Sequence, residues 1–171
     1  GFVDMIEAAL GADAVTVHES NEFIERMENG DKYMTNSCCP GFLSFIEKIV
    51  STEAGKISGT VSPMVATAKY IKAKDPDAKI VFIGPCTAKK AEAIRNGAEG
   101  AVDYVLTFEE LLALYAAFEV NPYECEEDDV NDGSVFGRNF GMSGGLTAAI
   151  ENYVKDSGVS VDFKPVKVSG L

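Results

Sequence analysis

Three of the four cysteines in this sequence lie in two proline-containing segments that could hold metal. Cys38 and Cys39 precede Pro40, and Cys86 follows Pro85. A thiol at a helix N-terminus loses its proton more readily, because the exposed N–H groups favour the thiolate. Thiolates are ligands of iron–sulfur clusters, whereas adjacent cysteines without a Cys-x-x-Cys pair match neither a disulfide framework nor a zinc ribbon. The spacing alone leaves two interpretations open, cluster ligands and reduced structural thiols.

Both cysteine segments fall at the ends of predicted strands. Apolar runs predict strands over residues 14–17, 33–36, 79–83, 102–106 and 161–168. Strands that alternate with helices predict an α/β fold, with a mixed or mainly parallel sheet flanked by helices on both faces. We expect one such domain over residues 1–171. Because ligands bind outside the carboxyl ends of strands in such sheets, the two cysteine loops and the glycine-rich loop 141–145 should converge on one site.

The helices are predicted from apolar periodicity and from capping residues. Periodicity predicts helices over residues 2–10, 21–28, 42–49, 87–96 and 146–154. Ser62 with Pro63 begins a further helix, and the capping box of Thr107 and Glu110 begins another. The inner face of the latter helix is predicted to consist of Leu111, Leu114, Tyr115 and Phe118. Residues 134–145 are predicted to have little regular structure.

Composition excludes several classes of partner. The chain has 171 residues, and 15 Lys and Arg against 27 Asp and Glu give a net charge of −12. That balance argues against nucleic acids and against anionic lipid surfaces as partners. No apolar run approaches the roughly 18 residues that a membrane span requires. The start of the chain lacks the features of a signal peptide, so we expect a cytoplasmic protein.

The residues around the cysteines resemble a known family, the iron-only hydrogenases. Residues 35–42, Thr-Asn-Ser-Cys-Cys-Pro-Gly-Phe, are similar to the first active-site loop of that family, Thr-Ser-Cys-Cys-Pro followed by a small and an aromatic residue. Residues 85–89, Pro-Cys-Thr-Ala-Lys, resemble the second loop, Pro-Cys-x-x-Lys. Residues 136–148 are similar to the small-residue loop that lines the same pocket. The resemblance covers nearly the whole chain.

The resemblance implies a cofactor, which is a 4Fe-4S cubane cluster joined to a di-iron subsite. Cys39 and Cys86 match two cubane ligands, and Cys38 matches the unligated thiol that passes protons to the di-iron site. Lys89 matches the ammonium that hydrogen-bonds a cyanide ligand. The family's outward proton path corresponds to Ser58, Glu22 and Glu19. Further cofactor-binding positions by resemblance are Ser62, Pro63, Pro85, Phe140, Gly141, Ser143 and Gly144.

The implied reaction is the interconversion of two protons and two electrons with H₂. The implied partners are an electron carrier such as ferredoxin, accessory iron–sulfur domains and signalling modules. Two departures, Gly84 where the family usually has Met and Met64 where a polar residue is common, favour the hydrogen-sensing branch. The family's third loop, Cys-x-x-x-Cys, does not occur in this sequence. We therefore expect a fragment of a larger domain that binds no metal on its own.

Other interpretations stay open for the protein and for single residues. The chain could belong to the hydrogenase-like cluster-assembly proteins, which keep cubane ligands but lack the di-iron centre, or it could be a non-enzymatic scaffold. Cys38 and Lys89 favour the hydrogenase interpretation. Glu19 and Glu22 could be solvated acids at a helix start, and Lys89 could be a surface lysine. Cys125 is interpreted as structural.

Overall fold

The computed structural model describes residues 1–95, 97–161 and 163–166. The α-helices are α1 (Ala8–Glu28), α2 (Pro40–Ile49), α3 (Pro63–Lys74), α4 (Ala88–Ala93), α5 (Phe108–Ala117), α6 (Val135–Asn139) and α7 (Gly145–Asp156). Short 3₁₀ helices occupy Ser51–Lys56 and Pro122–Glu124. The strands are β1 (Val81–Ile83) and β2 (Tyr104–Leu106).

The sheet is parallel, as the sequence predicted, but among the described residues it has two strands rather than the five predicted. β1 pairs with β2 in register Val81 to Tyr104, and a separate parallel bridge joins Thr35 to Ile57. The predicted α/β class is therefore confirmed. The strands at residues 79–83 and 102–106 are each present in shortened form, and residues 33–36 contribute only the bridge at Thr35. Of the predicted strand 161–168, residues 162, 167 and 168 lie outside the described residues, and residues 161 and 163–166 form no strand.

Two apolar clusters hold the helices together. The first joins α1 to α6 and α7 through Ala12, Val15, Phe140, Leu146, Ile150 and Val154. The second packs α3 against the segment before β2 through Met64, Val65, Ala68, Ala98, Ala101 and Val102. α1 and α3 approach closely at Gly11, where an added Cβ would lie 2.3 Å from the carbonyl oxygen of Pro63. This contact places the first turn of α1 beside the start of α3.

The predicted strand at residues 14–17 is wrong, because α1 continues unbroken from Ala8 to Glu28. The buried residues in this stretch recur with the three-to-four spacing of a helix, as Ala12, Val15, Thr16, Glu19 and Ser20. The β-branched sequence Val-Thr-Val suggested a strand, but packing against α3 and α7 overrides that local preference. The two predicted helices 2–10 and 21–28 are accordingly parts of one element.

Two smaller predictions also fail. α5 has no buried residue, and Leu114 and Phe118 of its predicted inner face are exposed. Among the described elements, the main neighbour of α5 is the short strand β2, which cannot cover that face. Residues 134–145 are more regular than predicted, since the Ser134 hydroxyl accepts from the Gly137 N–H and begins α6. The helices predicted from Pro63 and from the Thr107 capping box are confirmed.

Within the described residues, no helix is both long enough and apolar enough to cross a membrane.

Candidate functional site

The two cysteine loops lie side by side. Cys39 precedes α2, where its Sγ accepts a hydrogen bond from the Phe42 N–H at 3.5 Å, and its thiol is exposed. Cys86 lies between β1 and α4 and is also exposed. A Cβ at Gly41 would lie 3.9 Å from Cys39 Sγ and 4.0 Å from the Cβ of Ala88, the first residue of α4. The Cys39 thiol and the start of α4 therefore both lie within about 4 Å of the same point beside Gly41.

The Lys89 side chain connects the same two loops. Its Nζ donates to the Cys38 carbonyl at 3.2 Å and pairs with Glu92 Oε2 at 2.7 Å. The Lys89 and Glu92 side chains are only 12% and 10% exposed, respectively. The interpretation of Lys89 as a surface lysine is therefore wrong, because its ammonium is fixed beside the double-cysteine loop.

Cys38 differs from its neighbour Cys39 in environment. Its side chain packs against the first apolar cluster and is largely withdrawn from solvent. Burial raises the pKa of the Cys38 thiol to about 12, and the nearby Glu19 carboxylate acts in the same direction, while Lys89 opposes both. The Cys38 thiol is therefore protonated near pH 7.

Glu19 is completely buried in α1. Asn36 Nδ2 donates to its Oε1 at 2.9 Å, whereas its Oε2 has no hydrogen-bond partner among the described residues. Burial, with the Glu22 charge acting in the same direction, raises the pKa of Glu19 from 4.5 to about 7, although hydrogen bonds from Asn36 and the Ser37 backbone oppose the shift. The interpretation of Glu19 as a solvated helix-start acid is wrong.

Glu22, one turn further along α1, is in the opposite situation. Its carboxylate accepts from the Ser58 hydroxyl at 2.6 Å, from the Gly59 N–H at 3.0 Å and from Arg26 Nε at 2.9 Å. Partial burial alone would raise the pKa of Glu22, but these hydrogen bonds and the Arg26 charge outweigh it and lower the pKa. Ser58 itself is buried.

Arg26 is a residue of the site that sequence reasoning missed. Besides Glu22, its guanidinium binds the carbonyl oxygens of Gly55 and Ile57 at 3.0 and 2.9 Å. It thereby ties α1 to the segment that carries Ser58. The four-residue spacing from Glu22 was the available signal, because side chains four apart on a helix are neighbours.

A cavity of about 370 Å³ lies next to this chain of polar groups. Its lining includes Ser37, Leu43, Ser58, Ser62, Glu92 and Arg95. Ser62 begins α3 by accepting from the Val65 N–H at 3.5 Å, and Pro63 follows as the first helical residue. The predicted cofactor-binding position Ser62 is thus buried at a wall shared with Ser58.

The third predicted loop is less closely joined to the cysteines. Phe140 is buried in the cluster against which Cys38 packs. Gly141 and Ser143 are exposed, and Gly144 takes a left-handed conformation, with φ of 77°, immediately before α7. Pro85 is exposed beside Cys86. Phe140 is therefore the member of this group that belongs to the apolar cluster against which Cys38 packs.

The donors present fit part of an iron–sulfur ligand set. Cys39 and Cys86 offer two exposed thiols on adjacent loops, and thiolates are what such clusters bind. Among the described residues, no group of three or more His, Cys, Asp or Glu side chains is arranged to hold a metal ion. A four-cysteine cluster would need its other ligands from outside these loops.

Comparison with known proteins gives consistent matches. The profile of the family described as "Iron only hydrogenase large subunit, C-terminal domain" matches residues 1–170. Iron hydrogenase 1 of Clostridium pasteurianum is 28% identical over 185 residues, covering 98% of this chain and 32% of that protein. The cytosolic Fe-S cluster assembly factor NAR1 of Kluyveromyces lactis is 30% identical over 97 residues, covering 57% of this chain and 21% of that protein.

A solved structure has the same fold over the whole chain. A variant of the FeFe-hydrogenase HydA1 from Chlamydomonas reinhardtii superposes with a TM-score of 0.77 at 25% identity, covering 100% of this chain and 48% of that one. The chain thus spans about a third of the length of the curated hydrogenase and about half of the solved one.

Proposed function

Since this chain belongs to the family of iron-only hydrogenase C-terminal domains, we propose that it supplies two cluster ligands and the proton path of a hydrogen-converting or hydrogen-sensing centre. The observation that carries the proposal is the completely buried Glu19, which has one carboxyl oxygen without a hydrogen-bond partner among the described residues. An unpaired buried polar atom costs about 1–3 kcal/mol, so a purely structural role accounts poorly for it.

Cys39 and Cys86 are the residues that would hold the cubane, with the two remaining ligands supplied from outside these loops. When bound, the cofactor supplies electron transfer and the site at which hydrogen is split or formed. The Lys89 ammonium, fixed by Glu92 and the Cys38 carbonyl, offers a positive charge and N–H donors beside these ligands. That position suits an anionic ligand of the cofactor.

The remaining residues form a series of groups that can move protons inward. Glu22, which is paired with Arg26, is an ionised hydrogen-bond acceptor. The Ser58 hydroxyl can both donate and accept a hydrogen bond. Glu19, whose pKa is about 7, can take up and release a proton near neutral pH. Cys38 carries an S–H at this pH and lies on the loop that also carries the proposed cluster ligand Cys39.

A second function, iron–sulfur cluster assembly, is supported by the match to NAR1 over part of the chain. Holding a cubane requires thiolates but no buried carboxyl beside a buried thiol. The joint presence of Cys38, Glu19 and the fixed Lys89 therefore favours the hydrogenase proposal over cluster assembly.

We favour the sensing role over rapid turnover because of Gly84. An added Cβ at this buried position would lie 2.8 Å from the ring of Phe82, so the ring occupies the space where the family pattern has a methionine side chain. This departure from the family pattern changes the surroundings of the proposed cluster beside Cys86. It does not change the cysteine ligands. An electron carrier such as ferredoxin or an accessory iron–sulfur domain is the proposed redox partner.

The two adjacent cysteines allow a direct test in the full-length, matured protein. Cys39→Ser should lose iron, because a harder oxygen ligand suits the cluster poorly. Cys38→Ser should keep iron and the infrared bands of iron-bound CO and cyanide, while hydrogen turnover falls by about 10²-fold or more. Cys125→Ser, at an exposed thiol remote in sequence, is the matched control and should change neither.

Iron content and hydrogen evolution separate the outcomes. If Cys38→Ser lost iron and Cys39→Ser kept it, Cys38 would be the cluster ligand and Cys39 the proton-carrying thiol. Retention of iron and activity in both variants would refute the proposal.

A further inference from the structure

Among the described residues, Asn36 is the one side chain for which a hydrogen bond to Glu19 is resolved, and it reaches the carboxyl from a different part of the chain. Its amide Nδ2 donates to Glu19 Oε1 at 2.9 Å, while Glu19 Oε2 remains without a partner there. We propose that Asn36 is a positioning residue, which fixes one carboxyl oxygen of Glu19 and leaves the other as its only proton-exchanging atom. This inference rests on the proposed function, because it names the residue that positions Glu19 within the proposed proton path.

The backbone on both sides of Asn36 is held in place. Thr35 donates its N–H to the Lys56 carbonyl and accepts from the Ser58 N–H, both at 2.8 Å. On the other side, the Ser37 hydroxyl donates to the Thr60 carbonyl. The amide is therefore pre-organised against the same segment that presents Ser58 to Glu22, and the position of Glu19 is coupled to that of Ser58.

The chemistry of an amide explains why this residue directs proton exchange. Near neutral pH a carboxamide neither gains nor loses a proton, so its N–H can hold an oxygen but cannot pass a proton onward. With Oε1 fixed, the carboxyl cannot rotate to exchange its two oxygens without breaking the bond. Proton uptake is thereby confined to Oε2, which lies buried and free of other partners within the described part of the chain.

The same bond sets the balance between the two protonation states of Glu19. A donated hydrogen bond stabilises the carboxylate, and burial destabilises it. The charged and titratable groups that act on Glu19 are Glu22, on the same helix, and Cys38, on the loop before α2, with Lys89 behind Cys38. Asn36 opposes burial, so its removal should make Glu19 harder to ionise.

The test is a pH titration of the Glu19 carboxyl in the full-length apoprotein by infrared spectroscopy. The carbonyl stretch of the protonated acid is assigned by its loss in Glu19→Gln. In Asn36→Leu and Asn36→Ala the midpoint should rise by about one pH unit, the scale of losing one hydrogen bond to a charged group. Asn36→Thr keeps a donor on a shorter side chain, so its midpoint should fall between those of wild type and Asn36→Leu.

The matched control is Asn152→Ala. Asn152 Nδ2 donates to Asp156 Oδ2 at 3.0 Å on the exposed side of α7, so this variant also deletes an amide-to-carboxylate bond. Its Glu19 midpoint should equal that of wild type. An unchanged midpoint in folded Asn36→Leu and Asn36→Ala, or in Asn36→Thr if those two do not fold, would overturn the inference.

A second measurement separates this inference from the proposed function. In the matured protein, the pH dependence of hydrogen turnover should move to higher pH in Asn36→Leu, in parallel with the Glu19 midpoint. Absence of any hydrogen chemistry in wild type would refute the proposed function while leaving the apoprotein titration valid. A shifted midpoint with an unshifted turnover profile would overturn the role of Asn36 in proton exchange.

Discussion

The buried carboxyl of Glu19 should make the protein less stable as the pH rises, and Glu19→Gln should remove that dependence. The pKa of Glu19 is raised from 4.5 to about 7 by burial. Between these two values the folded state binds more protons than the unfolded state, so the free energy of unfolding decreases with increasing pH. Below about pH 4.5 the carboxyl is neutral in both states and carries no such cost.

The size of the effect follows from the difference between the two pKa values. A change from 4.5 to about 7 corresponds to a cost of about 3 kcal/mol, fully developed above pH 7. Glutamine has the same shape without the charge, and its amide oxygen can still accept from Asn36. Glu19→Gln should therefore match wild type near pH 4.5 and be more stable by up to about 3 kcal/mol at pH 8.

Two other carboxyl groups change the free energy of unfolding in a more acidic part of the pH range. The pKa of Glu7 is lowered to about 2, mainly by its hydrogen bond from Arg138, and the pKa of Asp103 is lowered to about 2, mainly by the Ile80 N–H. The stability that these groups contribute is present above their unfolded pKa values and is lost as the pH falls towards 2. Because both are present in wild type and variant, they cancel in the difference.

The assay is urea unfolding of wild type and Glu19→Gln at intervals from pH 4.5 to 8.5. Glu25→Gln, at an exposed glutamate on the same helix, is the matched control and should follow wild type at every pH. A stability difference between Glu19→Gln and wild type that does not change with pH would show that the carboxyl carries no charge-dependent cost. The assignment of Glu19 as a neutral-pH proton carrier would then fail.

Three further substitutions test the packing around the site by urea unfolding at pH 7. Lys89→Met leaves Glu92 buried without its cation and should cost about 3 kcal/mol or more, so an unchanged midpoint would contradict the buried pair. Gly11→Ala places a Cβ 2.3 Å from the Pro63 carbonyl oxygen and should lower the free energy of unfolding by about 1–3 kcal/mol. A variant as stable as wild type would mean that α1 and α3 are not in close contact. Thr107→Ala removes the capping box of α5 and should cost about 1 kcal/mol, an expectation that an equally stable variant would rule out.

Local hydrogen-bonding signals in the sequence predicted helix starts well. Ser62 with Pro63, and Thr107 with Glu110, specify α3 and α5 because the capping side chains bind backbone groups within three residues. The middle of α1 lacks such a signal, and its Val-Thr-Val sequence has the composition of a strand. Its helical state depends on packing against α3 and α7, which local preference does not report.

The candidate site was predictable to the extent that topology determines it. The Cys39 and Cys86 loops each precede a helix, and those helices, α2 and α4, pack against each other. The Cys86 loop follows β1, whereas the Cys39 loop follows only the bridge at Thr35. The burial of Glu19 does not follow from its type, because a glutamate on a helix is ordinarily solvated. Only the recognition of α1 as one helix would have put Glu19 on the same face as Val15.

The contrast between Glu19 and Glu22 explains how one turn of helix can carry two proton-handling roles. Glu22 is nearer to solvent and is satisfied by Ser58, Gly59 and Arg26, so its pKa is lowered. Glu19 is buried with one oxygen unpaired among the described residues, so its pKa is raised to about 7. Two carboxyls whose environments separate their pKa values are suited to different steps of proton transfer. In the proposed proton path the outer carboxylate takes up protons and passes them on, and the inner group holds one at neutral pH. The stability that Glu19 costs follows from the raised pKa that this proposed role requires.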